Sequence, residues 1–194
     1  MSRLSARLFM VFWLAASTAQ ADDADWNLEQ LMRELGSVRE SRAHFVERKY
    51  LKLLKVPLEA SGLLLYNAPD RLEKYTLAPK PERMVIESGR LVIENIARGS
   101  KRVIVLSSYP VLWGFVESVR ATLKGDLRAL QTFYRVQLSG DRAQWHLSLI
   151  PRDAKMQAAV ELIRIDGHDQ RIHSIEVREA QGDRSVMTID EDGR

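Results

Sequence analysis

The sequence predicts a mainly β (α+β) chain. Eleven antiparallel strands form one curled sheet, with an N-terminal helix and a helical insertion between the sixth and seventh strands. Three observations carry this expectation. Apolar and polar residues alternate in eleven short runs. Turn residues separate those runs at spacings of roughly 8–12 residues, too close for parallel crossovers. Helical periodicity occurs in only two stretches, one before the first strand and one in mid-chain.

Taken in order, residues 1–21 have the build of a cleavable export signal. Arg3 and Arg7 form a basic start, Leu8 to Ala16 a short apolar run, and Ala19-Gln20-Ala21 a small-residue cleavage site. The apolar run is about half of the ~20 residues that span a bilayer. Residues 22–194 are then expected to form one exported domain. Asp25 is placed to cap a helix over 26–38, where Leu28, Leu31, Met32, Leu35 and Val38 make one apolar stripe. Six strands follow, at 42–54, 58–67, 71–78, 82–88, 90–97 and 101–107. Pro57, Asn67-Ala68-Pro69-Asp70, Pro79-Lys80-Pro81, Ser88-Gly89 and Arg98-Gly99-Ser100 divide them.

Pro110 suits a first helical turn, and Leu112, Phe115, Val116, Val119 and Leu123 then recur at helical spacing. Gly125 ends that helix, and Asp126 caps a short second one containing Leu127 and Leu130. Five strands complete the chain at 133–139, 143–151, 159–166, 171–179 and 184–190. Gly140-Asp141, Asp166-Gly167 and Gly182-Asp183 mark their turns. The polar link 152–158 reads equally as a loop or a helical turn.

Composition narrows the function classes. The 194 residues are 45% hydrophobic and 28% charged, as in an ordinary globular protein. The net charge of +3 falls to +1 without Arg3 and Arg7, and the charges are interleaved. Nucleic acid needs a basic stripe, so it is disfavoured as a partner. With no Cys there is no disulfide framework, thiol nucleophile or thiolate metal site.

Eleven strands at ~4.8 Å spacing run to roughly 50 Å along the curve, whereas a 13-residue helix is about 20 Å long. The concave face is therefore either a core closed by its own helices or a partly open apolar cavity. Aromatic residues make up only 7% of the chain, so an aliphatic lining suited to alkyl chains is expected.

The order of motifs resembles a known family. The signal and amphipathic helix are followed by Phe45-Val46-Glu47 and by the segment GLLLYNAPDRLEKY at 62–75. The helical insertion, Leu149-Ile150-Pro151 and GDRSVMTI at 182–189 come next. Over about 26–190 this is similar to the LolA-like family of periplasmic outer-membrane lipoprotein carriers. The resemblance implies an eleven-stranded incomplete β-barrel closed by a helical lid, with an apolar cavity that shields acyl chains. It further implies a lipoprotein or other acylated lipid as cargo, an inner-membrane donor complex, an outer-membrane acceptor and transient contact with membrane surfaces. The protein would act as a monomer without cofactor or metal.

Expected lining residues are Phe45, Leu63, Leu65, Leu72, Leu91, Ile93, Trp145 and Leu147, with Leu112, Phe115 and Val119 on the lid. Gly62 and Pro69 match the family's Gly-to-Pro strand, and Leu72 an apolar position near the cavity mouth. Ala68 stands where the carriers have an arginine that latches the lid, and Arg120 is the candidate to replace it. Two other classes stay open: a periplasmic sensory or structural module of the same fold that binds a protein partner, and an acyl hydrolase.

Catalytic signals are weak. His44 and Glu47 face opposite sides of a strand, His168 sits in a turn, and His173 has no second ligand at suitable spacing. No Gly-x-Ser-x-Gly elbow occurs. Glu47, Glu73 and Glu94 read as solvated strand faces. The clusters Lys49–Lys55 and Arg98–Arg102 either meet anionic headgroups or a partner, or simply protect exposed loops and strand edges. If Ala19-Gln20-Ala21 is cleaved, intact-mass analysis of protein released by osmotic shock will show an N-terminus at Asp22. A retained Met1 would refute export by this signal.

Overall fold

The computed structural model describes residues 26–191. The export signal, its cleavage site and Asp25 lie outside these residues. Helix α1 (Leu28–Ser37) is capped by Asn27, whose side-chain oxygen accepts from the Gln30 amide at 2.9 Å. The cap thus falls two residues beyond the expected Asp25, because Asn27 is the last extended residue before the helix.

All eleven strands are present: β1 (Glu40–Tyr50), β2 (Leu58–Asn67), β3 (Arg71–Ala78), β4 (Glu82–Glu87), β5 (Arg90–Asn95) and β6 (Ser100–Val105) before the insertion. After it come β7 (Tyr134–Gly140), β8 (Trp145–Pro151), β9 (Val160–His168), β10 (Arg171–Glu179) and β11 (Arg184–Glu191). The insertion holds a 3-10 turn at Leu106–Ser108, then α2 (Pro110–Lys124) and α3 (Leu127–Phe133). Strand β1 ends at Tyr50 rather than near 54, because the Leu54 amide turns back to the Leu51 carbonyl. The link 152–158 contains a helical turn, α4 (Ala154–Gln157), capped by Asp153.

The strands form a single antiparallel sheet in the order β6-β5-β4-β3-β2-β1-β11-β10-β9-β8-β7. Strand β1 pairs with both β2 and β11, so two meanders meet at the first strand. The sheet does not close. Strands β6 and β7 are its edges, and the helical insertion joins them. At Gly62 a Cβ would stand 1.8 Å from the Tyr75 carbonyl oxygen, so only glycine fits beside the β2–β3 register shift.

On the outer face Glu73 is only 8% exposed, contrary to the solvated strand face expected. Burial alone would raise its pKa. The Tyr75 hydroxyl and the Arg83 and Arg71 guanidiniums donate to it and hold it down at about 2.

Helices α1 and α2 cross where both are glycine. A Cβ on Gly36 would lie 2.8 Å from the Lys124 carbonyl, and one on Gly125 2.1 Å from that of Met32. Gly125 also ends α2 in the left-handed conformation, at φ 70°. A second tie runs from β7: the buried Tyr134 hydroxyl donates to the Gly114 carbonyl of α2 at 3.1 Å. Burial pushes this hydroxyl's pKa up to about 12.

Tyr134→Phe should lower stability by about 0.5–1.5 kcal/mol in urea unfolding, the net worth of the one hydrogen bond it removes. The pH dependence has a definite sign. Tyr134 ionises near pH 10 when unfolded and near 12 when folded, so its stabilisation is complete below pH 10 and fades between 10 and 12. The variant should lose stability less steeply than the parent across that window.

Candidate functional site

The inner face of the sheet is filled at both flanks and open in the middle. Over β7–β9, the inward side chains Trp145, Leu147, Leu149, Ile163 and Ile165 pack against Leu31, Met32 and Leu35 of α1 and Leu130 of α3. Toward the other edge, Leu91 packs with Leu106 and Val116, joined by Ile86, Ile93, Ile104 and Trp113. Between these two cores lies a cavity of about 930 Å³.

Strands β1–β4 and β9–β11 wall the cavity with Ala43, Leu64, Tyr66, Leu72, Met84, Ile165, Ile175, Met187 and Ile189. Helix α2 roofs it with Leu112, Phe115, Val119 and Leu123. These positions share one helical face. The buried side of α2 is built from small residues, Gly114, Ser118, Ala121 and Thr122. The helix therefore seats its small side in the protein and hangs its large apolar side chains, each half-buried, over the cavity.

The expected lining residues divide accordingly. Leu65, Leu72, Leu112, Phe115 and Val119 border the cavity. Trp145 and Leu147 face inward but are fully covered by α1 and α3. Leu91 and Ile93 belong to the small core under the first turns of α2. Phe45 also faces inward and is buried, with the Lys74 ammonium 4.8 Å from its ring centroid. Leu63 lies on the outer face, and Leu65 shares its parity although the cavity reaches its position: Phe45 pairs with Gly62 and Ala43 with Leu64, so alternation turns Gly62, Leu64 and Tyr66 inward.

One charged group inside the cavity was missed. Glu47, expected to be solvated, is 7% exposed and borders the cavity. Its carboxylate lies 2.5 Å from the Lys74 ammonium, accepts from the Ser185 hydroxyl at 2.8 Å and has Lys49 at 3.5 Å. Burial alone would raise the Glu47 pKa, but Lys74, Lys49 and Ser185 hold it below the ordinary carboxylate value. The signal was available, because Glu47 has the parity of Ala43 and Phe45 and so belongs to the apolar face. With Glu179, Asp183 and Arg184, these groups make one end of the cavity polar.

The roof is also tethered to the first half of the sheet. Arg120 of α2 lies 3.8 Å from the carboxylate of Asp70, which follows Pro69 in the β2–β3 turn. The Tyr66 hydroxyl also donates to the Leu123 carbonyl at 3.5 Å. Arg120, the candidate for the latch that Ala68 cannot supply, thus meets Asp70, two residues beyond Ala68, as well as Glu117 on its own helix. The half-exposed pair contributes no more than about 1 kcal/mol.

A His–carboxylate pair also exists, His146 Nδ1 to Asp166 at 2.6 Å, but it lies on the outer face, away from the cavity. Among the described residues, no group of three His, Asp or Glu is placed to hold a metal ion. Nor is any helix among them long and apolar enough to cross a membrane.

Three solved structures are among those similar to this chain. A LolA superfamily protein from Nitrosomonas europaea is 9% identical, with 85% of this chain and 92% of that chain covered and a TM-score of 0.46. The MucA–MucB complex of Pseudomonas aeruginosa gives 16% identity, 89% and 58% coverage and a TM-score of 0.47. A putative outer membrane lipoprotein-sorting protein domain from Vibrio parahaemolyticus gives 11%, 85% and 91%, and 0.45. No curated protein matches the sequence. Residues 15–190 match the family described as outer membrane lipoprotein carrier protein LolA-like. The match takes in every strand and the helical insertion, and the chain belongs to this LolA-like family.

Proposed function

We propose that this protein is a periplasmic carrier. It takes acyl chains of lipoproteins or another lipidated molecule into the cavity beneath α2 and moves them toward the outer membrane. It works by binding and release, without a covalent step. One observation carries the reading: Leu112, Phe115, Val119 and Leu123 cover space that no protein atom fills, while the opposite side of α2 is tightly seated. A closed core would have turned those side chains inward or filled the space beneath them.

The energetics suit a shuttle. Burying each methylene is worth ~0.8 kcal/mol, so a 16-carbon chain gives roughly 12 kcal/mol gross. Ordering the chain and shifting α2 subtract several kcal/mol, which leaves micromolar-to-nanomolar affinity. Cargo of that affinity is held in transit and can still be surrendered. The residues proposed to touch it are Leu72, Leu112, Phe115 and Val119, joined by Leu64, Tyr66 and Met84.

Phe115→Ala tests the roof. As a permanent core residue it would cost about 3–5 kcal/mol, but as a cavity cover it should cost under ~2 kcal/mol. It should also weaken a fluorescent fatty acid by about tenfold or more. Urea unfolding and titration of the same variant measure both. A strongly destabilised variant of a protein indifferent to fatty acid would refute the carrier and favour a module that binds a protein partner.

The tether gives a separate expectation. Arg120→Ala or Asp70→Asn should change stability by less than about 1 kcal/mol while speeding uptake of the same fatty acid in stopped-flow fluorescence. Unchanged uptake would mean that α2 does not open by release of this tether.

A further inference from the structure

The connections β1–β2, β3–β4, β5–β6 and β10–β11 all emerge at one end of the sheet, as the antiparallel order requires. That end gathers exposed apolar side chains. Leu53 is 97% exposed and Val56 72%, with Leu54 in the same loop, Leu77 beside β3–β4 and Ile96 in β5–β6. Exposed cations stand among them: Lys52, Lys55, Lys80 and Arg98. The turns at the opposite end carry charges of both signs, Asp70, Asp141 and Asp169 with Arg142.

The apolar tip is held outward. The Lys52 amide donates to Asp183 at 2.9 Å, the Leu54 amide to the Leu51 carbonyl at 2.9 Å, and Arg184 lies 4.5 Å from the Tyr50 ring centroid. The loop is thus anchored at its base on the β10–β11 turn while its leucines and valine meet water. Large apolar side chains on separate loops at one end of the sheet, interspersed with cations, match a lipid surface: the apolar tips enter the acyl boundary while the lysines stay with anionic headgroups.

We infer that this end of the half-barrel docks on an anionic lipid bilayer, with Leu53 and Val56 inserting and Lys55, Lys80 and Arg98 facing the headgroups. Lys49 and Leu51 at the root of the loop border the cavity, as do Asp183 and Arg184. Cargo entering or leaving there passes between bilayer and cavity with little exposure to water. That route rests on the carrier reading; the docking itself does not.

The chain has no Cys, so Leu53→Cys offers a single site for an environment-sensitive fluorophore, with Gln170→Cys at the opposite end as control. Protein purified as the cell processes it is mixed with phosphatidylcholine vesicles with or without phosphatidylglycerol. The label at 53 should shift to the blue on anionic vesicles, less so as salt rises, and the label at 170 should not. In co-sedimentation, Leu53→Asp with Val56→Asp should weaken vesicle binding by about tenfold or more. Its fatty-acid affinity should stay at the parent's value. Vesicle binding retained by the double variant, or absent in the unlabelled parent, overturns the docking and leaves the patch to a protein partner. Loss of fatty-acid binding in the parent would count against the carrier reading alone.

Discussion

The crossing of α1 and α2 at Gly36 and Gly125 is the contact on which the remaining architecture depends. Two helices approach this closely only where neither carries a Cβ, and each glycine here faces backbone that a methyl group would strike. The crossing fixes the C-terminal end of α2 above the sheet. The small residues Gly114, Ser118 and Ala121 extend the same seated side along the helix. The large apolar side of α2 is then obliged to point at the middle of the sheet. From that one constraint follow the roof, the height of the space beneath it and the division of the inner face into two cores.

The open sheet matters as much as the roof. A closed barrel of eleven strands would hold its own interior, but here β6 and β7 are edges, and the chain between them supplies the cover. The cover is attached firmly at one side through Tyr134 and the helix crossing, and weakly at the other through Arg120–Asp70. An element held in this unequal way can move at its weak side without loss of the fold. The two cores hold the sheet on either side of the space between them.

Charge inside an apolar cavity is costly unless it is paired. Glu47 meets that requirement through Lys74, Ser185 and Lys49, with Lys74 also stacked over Phe45. The cluster sits toward the end where Arg184 and Asp183 also border the cavity and where the β1–β2 loop begins. The cavity is therefore graded, aliphatic beneath α2 and polar at that end. An amphiphile with an apolar chain and a polar head matches that gradient better than a molecule apolar throughout.

Much of this was legible in the chain itself. Strand number, antiparallel connection, the helical insertion and its end at Gly125 all follow from alternation, helical spacing and turn residues, because these depend on near neighbours in sequence. Parity was legible where alternation is clean, as in Trp145, Leu147 and Leu149 with His146 and Ser148 between them. It was not legible in Leu63-Leu64-Leu65, where three successive leucines hold no alternation and only pairing with Phe45 and Ala43 selects the inward side. Nor does a strand record what stands opposite it. Trp145 and Leu72 are both apolar residues on the inward face of a strand, yet α1 and α3 bury the first and the roof leaves the second beside the cavity. The sequence by itself determined which elements form and in what order. Only the tertiary structure decided where the filled core stops and the cavity begins, because that boundary is set by how far two helices reach across a sheet wider than they can cover.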